Sequence, residues 1–365
     1  MRVIVVGAGV IGCAIACELA ARGAEVRVLD ARTAGAGASR ASAGMLAPYI
    51  EGHSPALRRL GVRSLALYDA FIERVRAAGG RAIEYQRTGS LEVALDAAEA
   101  EQLSKGARAL AAQGVEHELL NAAGVLALEP SVTPRAAAGL FTPLHGFVSV
   151  RDLMAGLIAE AEQRGVVVST GVRVEQLAAT ADGVRVTGAN TSLDADAAVL
   201  AAGSWSGQVT VAQTPTVPVK PIRGQLVELG CARPPAGRVI WGTGCYLVPW
   251  RDGTLLAGAT SEDVGFDESS TEAGVSGLLA AAGALLPPAR TARFREVRVG
   301  LRPATGDELP VIGRAASAPR ICYATGHYRN GVLLAPLTAA AVAGLLLDGR
   351  GMPELALTAP SRFGL

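Results

Sequence analysis

Two clusters in this 365-residue chain combine residue types and spacings that can do chemistry. Near the start, the apolar run Val3–Val6 has the look of a strand buried on both faces, and it leads straight into Gly7, Gly9 and Gly12, a GxGxxG pattern. Glycines at that spacing allow a tight turn and close backbone approach to a pyrophosphate. The helix opened by Val10 and Ile11 turns its positive end toward the same charge. The next strand, EVRVLD, finishes at Asp30, eighteen residues after Gly12 (30 − 12), where a carboxylate accepts hydrogen bonds from a ribose 2′-hydroxyl. Ala31 and Arg32 follow it into the same region. An acid at that point disfavours a 2′-phosphate, so an adenine dinucleotide without one is expected.

The second cluster is GHYRNGVLLAPL, Gly326 to Leu337. His327, Tyr328, Arg329 and Asn330 offer several donors, Gly331 admits a ligand to the backbone, and Val332 and Leu333 follow it. Pro336 suits the first turn of a helix running to Gly349, so a helix is expected from about Pro336. Its unpaired N–H groups and partial positive charge would stabilise something anionic in front of it.

Composition narrows what these clusters serve. The chain is 50% hydrophobic with a formal net charge of +1, which allows a large core and two domains but no basic field for nucleic acid or an anionic membrane. Five scattered cysteines without a CxxC pair argue against disulfides or zinc and fit a reducing cytoplasm. Cys13 and Cys17, four apart on one helix, read as packing residues, and no metal site is expected. His53, His117 and His145 have no partners at catalytic or metal spacing and read as structural. The apolar N-terminus carries nucleotide-type glycines rather than a signal-peptide pattern, and the runs 274–288 and 331–347 read as buried helices, so no membrane span is expected.

Between the clusters, several elements must position them. The segment 32–48, RTAGAGASRASAGMLAP, carries little side chain and either lies flat along an extended ligand or forms a loose surface loop. Helical patterns cover Pro55–Ala78, Glu99–Gln113 and Arg151–Arg164, and Thr88–Leu95 reads as a strand. A hairpin around Asp182 and Gly183 precedes the buried strand Ala197–Ala202, which ends at Gly203. That return to parallel-type strands implies that a nucleotide domain resumes there, with Val174 near the adenine, Gly203 admitting the ligand and Trp205 either walling it or sitting in a core. From Thr216 to Leu301 the chain alternates as an antiparallel sheet. The expected fold is therefore α/β: a Rossmann-like dinucleotide-binding domain over 1–48, 145–215 and 305–365. An antiparallel-sheet substrate-binding domain of α+β character is inserted as 49–144 and 216–304. On type and spacing alone, Arg302 fits a surface ion pair and Tyr246 a half-buried strand aromatic.

The motifs VVGAGVIG, ASAGMLAP, AAGSWSG, GCYLVPWRDGTLLAGAT, VGLRPATGDELPVIG and GHYRNGVLLAP together resemble the D-amino acid oxidase group of FAD-dependent amine oxidoreductases, within it the glycine oxidases of the thiamine pathway. The resemblance spans nearly the whole chain. It implies FAD, with the Rossmann-like part an FAD-binding domain of the glutathione-reductase type, and oxidation of glycine to the imine by hydride transfer to flavin, with O2 reduced to hydrogen peroxide; sarcosine and small D-amino acids are further candidate substrates. It also implies a role in thiazole synthesis and a homo-oligomer. By the same resemblance Ser42, Ala43, Gly44 and Met45 touch the flavin, Arg302 and Tyr246 clamp the substrate carboxylate, and Arg329 lies beside the same pocket. Sarcosine oxidases attach flavin through a cysteine in the segment matching RPATGDELP; none is present here, so noncovalent flavin is expected. Lys105 and Lys220 match no oxygen-side lysine, and Ser261 stands where a bulkier apolar residue is expected. Three other readings remain at this level: a dehydrogenase of the same fold feeding a quinone or partner protein, a nicotinamide-dependent dehydrogenase, and a non-catalytic binding module, which explains poorly why Arg302 and Tyr246 accompany a cofactor signature.

Overall fold

A computed structural model describes residues 1–50 and 54–365; His53 lies outside the described residues. Continuous apolar runs form the centre of a six-stranded sheet in the order Val311–Arg314, Ile321–Thr325, Ala197–Leu200, Arg2–Val6, Glu25–Asp30 and Val167–Thr170. All pairs are parallel except the first, Val311 with Thr325, which is antiparallel. Strands buried on both faces cannot alternate in polarity, which is why VIVV and AAVL lack the period of two. Helices Val10–Ala21, Val150–Gln163 and Gly331–Asp348 supply core residues on one face. A small four-stranded sheet, Thr191–Ala195, Val184–Gly188, Gln176–Ala179 and Thr210–Val211, antiparallel except for its last pair and with the expected hairpin between Gln176–Ala179 and Val184–Gly188, covers the other.

A second, eight-stranded sheet has the order Arg293–Ala304, Lys220–Gly230, Thr254–Gly258, Cys245–Pro249, Val239–Gly242, Ser90–Ala94, Ala138–Thr142 and Glu118–Asn121. It is antiparallel throughout except where Val239–Gly242 meets Ser90–Ala94. Its long strands Lys220–Gly230 and Arg293–Ala304 pair from end to end, with one bulge between Glu228 and Leu229.

The expected helix Pro55–Ala78 is two helices, Pro55–Leu65 and Tyr68–Gly79. The inserted part was expected to hold them, yet Tyr68, Phe71, Ile72 and Val75 share the core of helix Val10–Ala21, with Tyr68–Gly79 packed against helix Val150–Gln163. The helix expected from about Pro336 begins earlier, at Gly331 with Asn330 as its N-cap, so Pro336 is interior. A proline there removes the N–H that would bond the carbonyl four residues back, Val332. The Tyr68 hydroxyl donates to that carbonyl at 2.7 Å, and Ser64 Oγ accepts from Leu337 N–H at 3.3 Å. The short helices at 55–79 thus complete a defect in the helix that carries the second cluster. This 18-residue helix is long and apolar enough to cross a bilayer, but 67% of it is buried within the fold.

Candidate active site

A cleft of about 420 Å³ runs from the C-terminal ends of the parallel strands to the inner face of the eight-stranded sheet. At its nucleotide end, Gly7 turns with φ 112°, and a Cβ there would lie 2.3 Å from the Ala201 carbonyl. A Cβ on Gly12 would lie 1.9 Å from the Gly7 carbonyl, so only glycine lets the helix seat on the turn. Gly12 does this from behind and does not itself line the cleft, whereas Gly7, Gly9, Val10 and Ile11 do. Val10 N–H donates to Ser39 Oγ at 3.0 Å. The Asp30 carboxylate accepts Ala8 N–H and Arg32 N–H, each at 2.7 Å, which ties the end of the second strand to the glycine turn. Ala31, Val174, Gly203 and Trp205 line this end as well.

Arg32 also lines this end, and its guanidinium is held by protein groups: it donates to Glu268 at 3.1 and 2.8 Å and to the Ala36 carbonyl, and lies 4.9 Å from the Trp205 ring centroid. Phe266 meets the same indole at 5.9 Å. Residues 260–271, leaving the eight-stranded sheet, therefore reach across to the nucleotide end.

The glycine- and alanine-rich segment is not a free loop. Residues 35–39 and 41–45, including Ser42, Ala43, Gly44 and Met45, line one side of the cleft. A Cβ on Gly300 would fall 2.6 Å from the Ala41 Cβ, so strand and segment are in direct backbone contact. The second cluster lines the same cleft. His327 is buried, its Nε2 is 3.0 Å from Thr338 Oγ1, and loss of hydration pushes its pKa down to about 3, so the imidazole is neutral. Asn330, Gly331, Val332 and Leu333 begin the helix and face the cleft. Asn330 Nδ2 is buried and has no hydrogen-bond partner among the described residues. Arg329 lines the same edge, 3.6 Å from Glu308 and stacked on Tyr328 at 5.0 Å.

At the far end, Arg302 and Tyr246 both face the cleft. Each lies over a strand glycine: a Cβ on Gly224 would come within 2.3 Å of Arg302 Nη2, and one on Gly258 within 2.6 Å of the Tyr246 hydroxyl. Arg302 Nη1 donates to the Thr260 carbonyl at 2.9 Å. Trp241, adjacent to Tyr246 across the strand pair, stacks on it at 5.2 Å. Behind this floor, Glu262 accepts from Arg223 Nε at 3.2 Å, Gln225 Nε2 at 2.7 Å and the Thr260 hydroxyl. Burial opposes its ionisation, but those donors outweigh the cost and hold the carboxyl below its usual range.

The structure thus gathers every anticipated site residue at one cleft apart from Gly12, which buttresses it. Ser39, Trp241, Gly224 and Thr260 escaped the sequence reading. Gly224 had a signal, since glycine inside a strand marks a close approach; Thr260 had none, because its part is played by a carbonyl. Ser261 is exposed and outside the lining residues. Lys105 pairs with Glu101 and Lys220 with Asp263, both in solvent. Cys13 and Cys17 are buried, bonded to the Ala8 and Leu157 carbonyls. His117 bonds the Val115 carbonyl, and His145 contacts Ser90 and Tyr49. No His, Cys, Asp and Glu cluster suited to a metal occurs among the described residues.

The chain is 36% identical over 360 residues to the Bifunctional protein ThiO/ThiG of Nostoc sp., covering 97% of this chain and 54% of that protein. It spans about half the length of that group of curated relatives. It is 33% identical to the glycine oxidase of Geobacillus kaustophilus, over 94% of this chain and 92% of that one. The crystal structure of glycine oxidase from Geobacillus kaustophilus superposes with a TM-score of 0.93 at 32% identity, over 98% of both chains. The FAD dependent oxidoreductase (DAO) family model matches residues 2–345, a span that takes in the whole of both large sheets, and the chain belongs to that family.

Proposed function

We propose that the chain is a glycine oxidase that takes glycine, and with it sarcosine and small D-amino acids, to the imine with O2 as electron acceptor. One observation carries the reading: Arg302 and Tyr246, each laid over a strand glycine, face the cleft that begins at the Gly7–Asp30 turn. A planar guanidinium with a hydroxyl beside it suits a carboxylate, and the few side chains around them suit a small substrate.

The residues present fit FAD. The glycine turn and the N–H of Ile11 would hold the pyrophosphate, the Val10 N–H being taken by Ser39 Oγ; Asp30 has lone pairs left for the ribose, and Val174 and Trp205 flank the adenine side. The orphaned Asn330 Nδ2 calls for an acceptor that a ring carbonyl supplies. Residues 42–45 and 327–333 would enclose the flavin ring, which would be held noncovalently. FAD, held there, would supply the two-electron acceptor for the substrate Cα–H hydride and the route of those electrons to O2. The chain's own work is orientation: Arg302 and Tyr246 hold the carboxylate, and the helix beginning at Gly331 directs its positive end at charge gathering near Asn330. Neutral His327 adds no competing charge. No general base is assigned, because hydride transfer from a correctly held amine does not demand one.

The strands drawn from 90–142 and 220–304 are assigned to substrate binding and the remainder, helices 55–79 included, to the nucleotide. A cytoplasmic homo-oligomer without a membrane span, its imine consumed in thiazole formation, completes the proposal. A substrate panel under air with peroxide detection tests it: glycine should give peroxide and a fast return of flavin colour after reduction. Reduction by glycine without air reoxidation would favour a dehydrogenase, and no turnover of any of these substrates would refute the activity.

A further inference from the structure

We propose that Thr260 and Glu262 are positioning residues for Arg302, a role that rests on the reading of Arg302 as the carboxylate ligand. The Arg302 guanidinium lies flat on Gly224 and, among the described residues, makes hydrogen bonds only through Nη1, to the Thr260 carbonyl at 2.9 Å and the Arg223 carbonyl at 3.4 Å. Its Nε and Nη2 make no hydrogen bond among the described residues, and these two form the edge that grips a carboxylate with two parallel bonds. Which way that edge faces depends on where the Thr260 carbonyl stands.

The carbonyl is fixed from three sides. Thr260 N–H donates to the Gln225 carbonyl at 3.2 Å, and Gln225 N–H donates to Thr260 Oγ1 at 3.0 Å. The Thr260 hydroxyl in turn donates to Glu262. Glu262 is itself locked to the buried Arg223 through the backbone, at 2.8 and 3.0 Å in the two directions, and through its side chain. The substrate end thus has a supporting layer that never meets substrate: Glu262 holds Thr260, and Thr260 aims Arg302. A carboxylate taking donors from Thr260, Gln225 and Arg223 at once is a specific device, since a surface ion pair would need only one of them.

The test uses full-length, FAD-loaded protein. Thr260→Val removes the hydroxyl at nearly constant volume, Thr260→Ser keeps it, and Glu262→Gln keeps shape while removing the charge. Glycine KM and kcat are measured for each, with binding of acetate followed by perturbation of the flavin spectrum. The expected result is a rise of about tenfold in KM and in acetate Kd for Thr260→Val and Glu262→Gln, with kcat within about twofold and Thr260→Ser close to the parent. In an Arg302→Lys background the Thr260→Val effect should fall below about twofold, as it must if both act on one contact. Unchanged KM in Thr260→Val while Arg302→Lys raises it overturns the positioning role alone; no effect of Arg302→Lys overturns the reading beneath it. Loss of flavin with equal falls in all parameters would make the layer merely structural and also overturns the proposal. Should Glu262→Gln fail to fold, the Thr260 pair decides.

Discussion

Arg302 illustrates how a side chain's meaning depends on what lies under it. Glycine at 224 lets the guanidinium rest on backbone, so it spends one nitrogen on a carbonyl and keeps a two-donor edge. Arg302→Lys replaces that edge with a point charge, and glycine KM should rise by about tenfold to a hundredfold with kcat less affected, measured by steady-state kinetics. His327 makes a pH prediction. Its folded pKa of about 3 lies below the ordinary 6.5, so the unfolded chain binds the extra proton first as pH falls. The contribution is intact above about 6.5 and is lost progressively toward about 3, on the order of 1 kcal/mol per pH unit. Urea unfolding from pH 7 to 5 should show this slope, and His327→Gln should flatten it; an identical slope in the variant would assign it elsewhere.

Helix Gly331–Asp348 shows where reading an element from its residues succeeds and where it stops. Its existence, its apolar character and its end at Gly349 followed from residue types, but its start was misplaced by five residues, because proline was taken as a first-turn residue. What permits Pro336 inside the helix is Tyr68, 264 positions away in sequence from the carbonyl it satisfies, and no local pattern carries that information. Tyr68→Phe should cost about 1–3 kcal/mol by leaving the buried Val332 carbonyl unsatisfied. Adding Pro336→Ala restores a backbone N–H for that carbonyl and should recover part of the loss; chemical denaturation of the four proteins of this cycle gives the answer. The glycine turn, by contrast, was fully legible, since its constraint is steric and lies within a few residues. The segment 32–48 stood between two readings until Gly300 was seen against Ala41.

Across the whole molecule, the two ends of the cleft are joined by residues 260–271, which aim Arg302 at one end and reach Arg32 and Trp205 at the other. The Arg32–Glu268 pair is 38% and 33% exposed, so its worth is about 1 kcal/mol at most. Glu268→Gln should therefore weaken FAD by no more than about fivefold, followed by recovery of flavin fluorescence on dilution; wholesale loss of flavin would show the link to be essential. Sequence alone indicated two kinds of sheet and which segments alternate between them. It did not show that Leu65, Tyr68, Phe71, Ile72 and Val75 pack into one core with residues of the parallel sheet, because the amphipathic faces of these helices suit any apolar neighbour.

The parallel sheet is laced from widely separated stretches: Arg2–Val6 lies between Glu25–Asp30 and Ala197–Leu200, and the latter lies beside Ile321–Thr325. During synthesis, the first strand leaves the ribosome almost two hundred residues ahead of one of its partners. The glycine turn must wait through that interval with one flank unpaired, and a nascent chain halted before residue 321 lacks the strand and helix that close the cleft. The flavin site is in this sense complete only once the chain has been made through residue 348, whatever is translated after it.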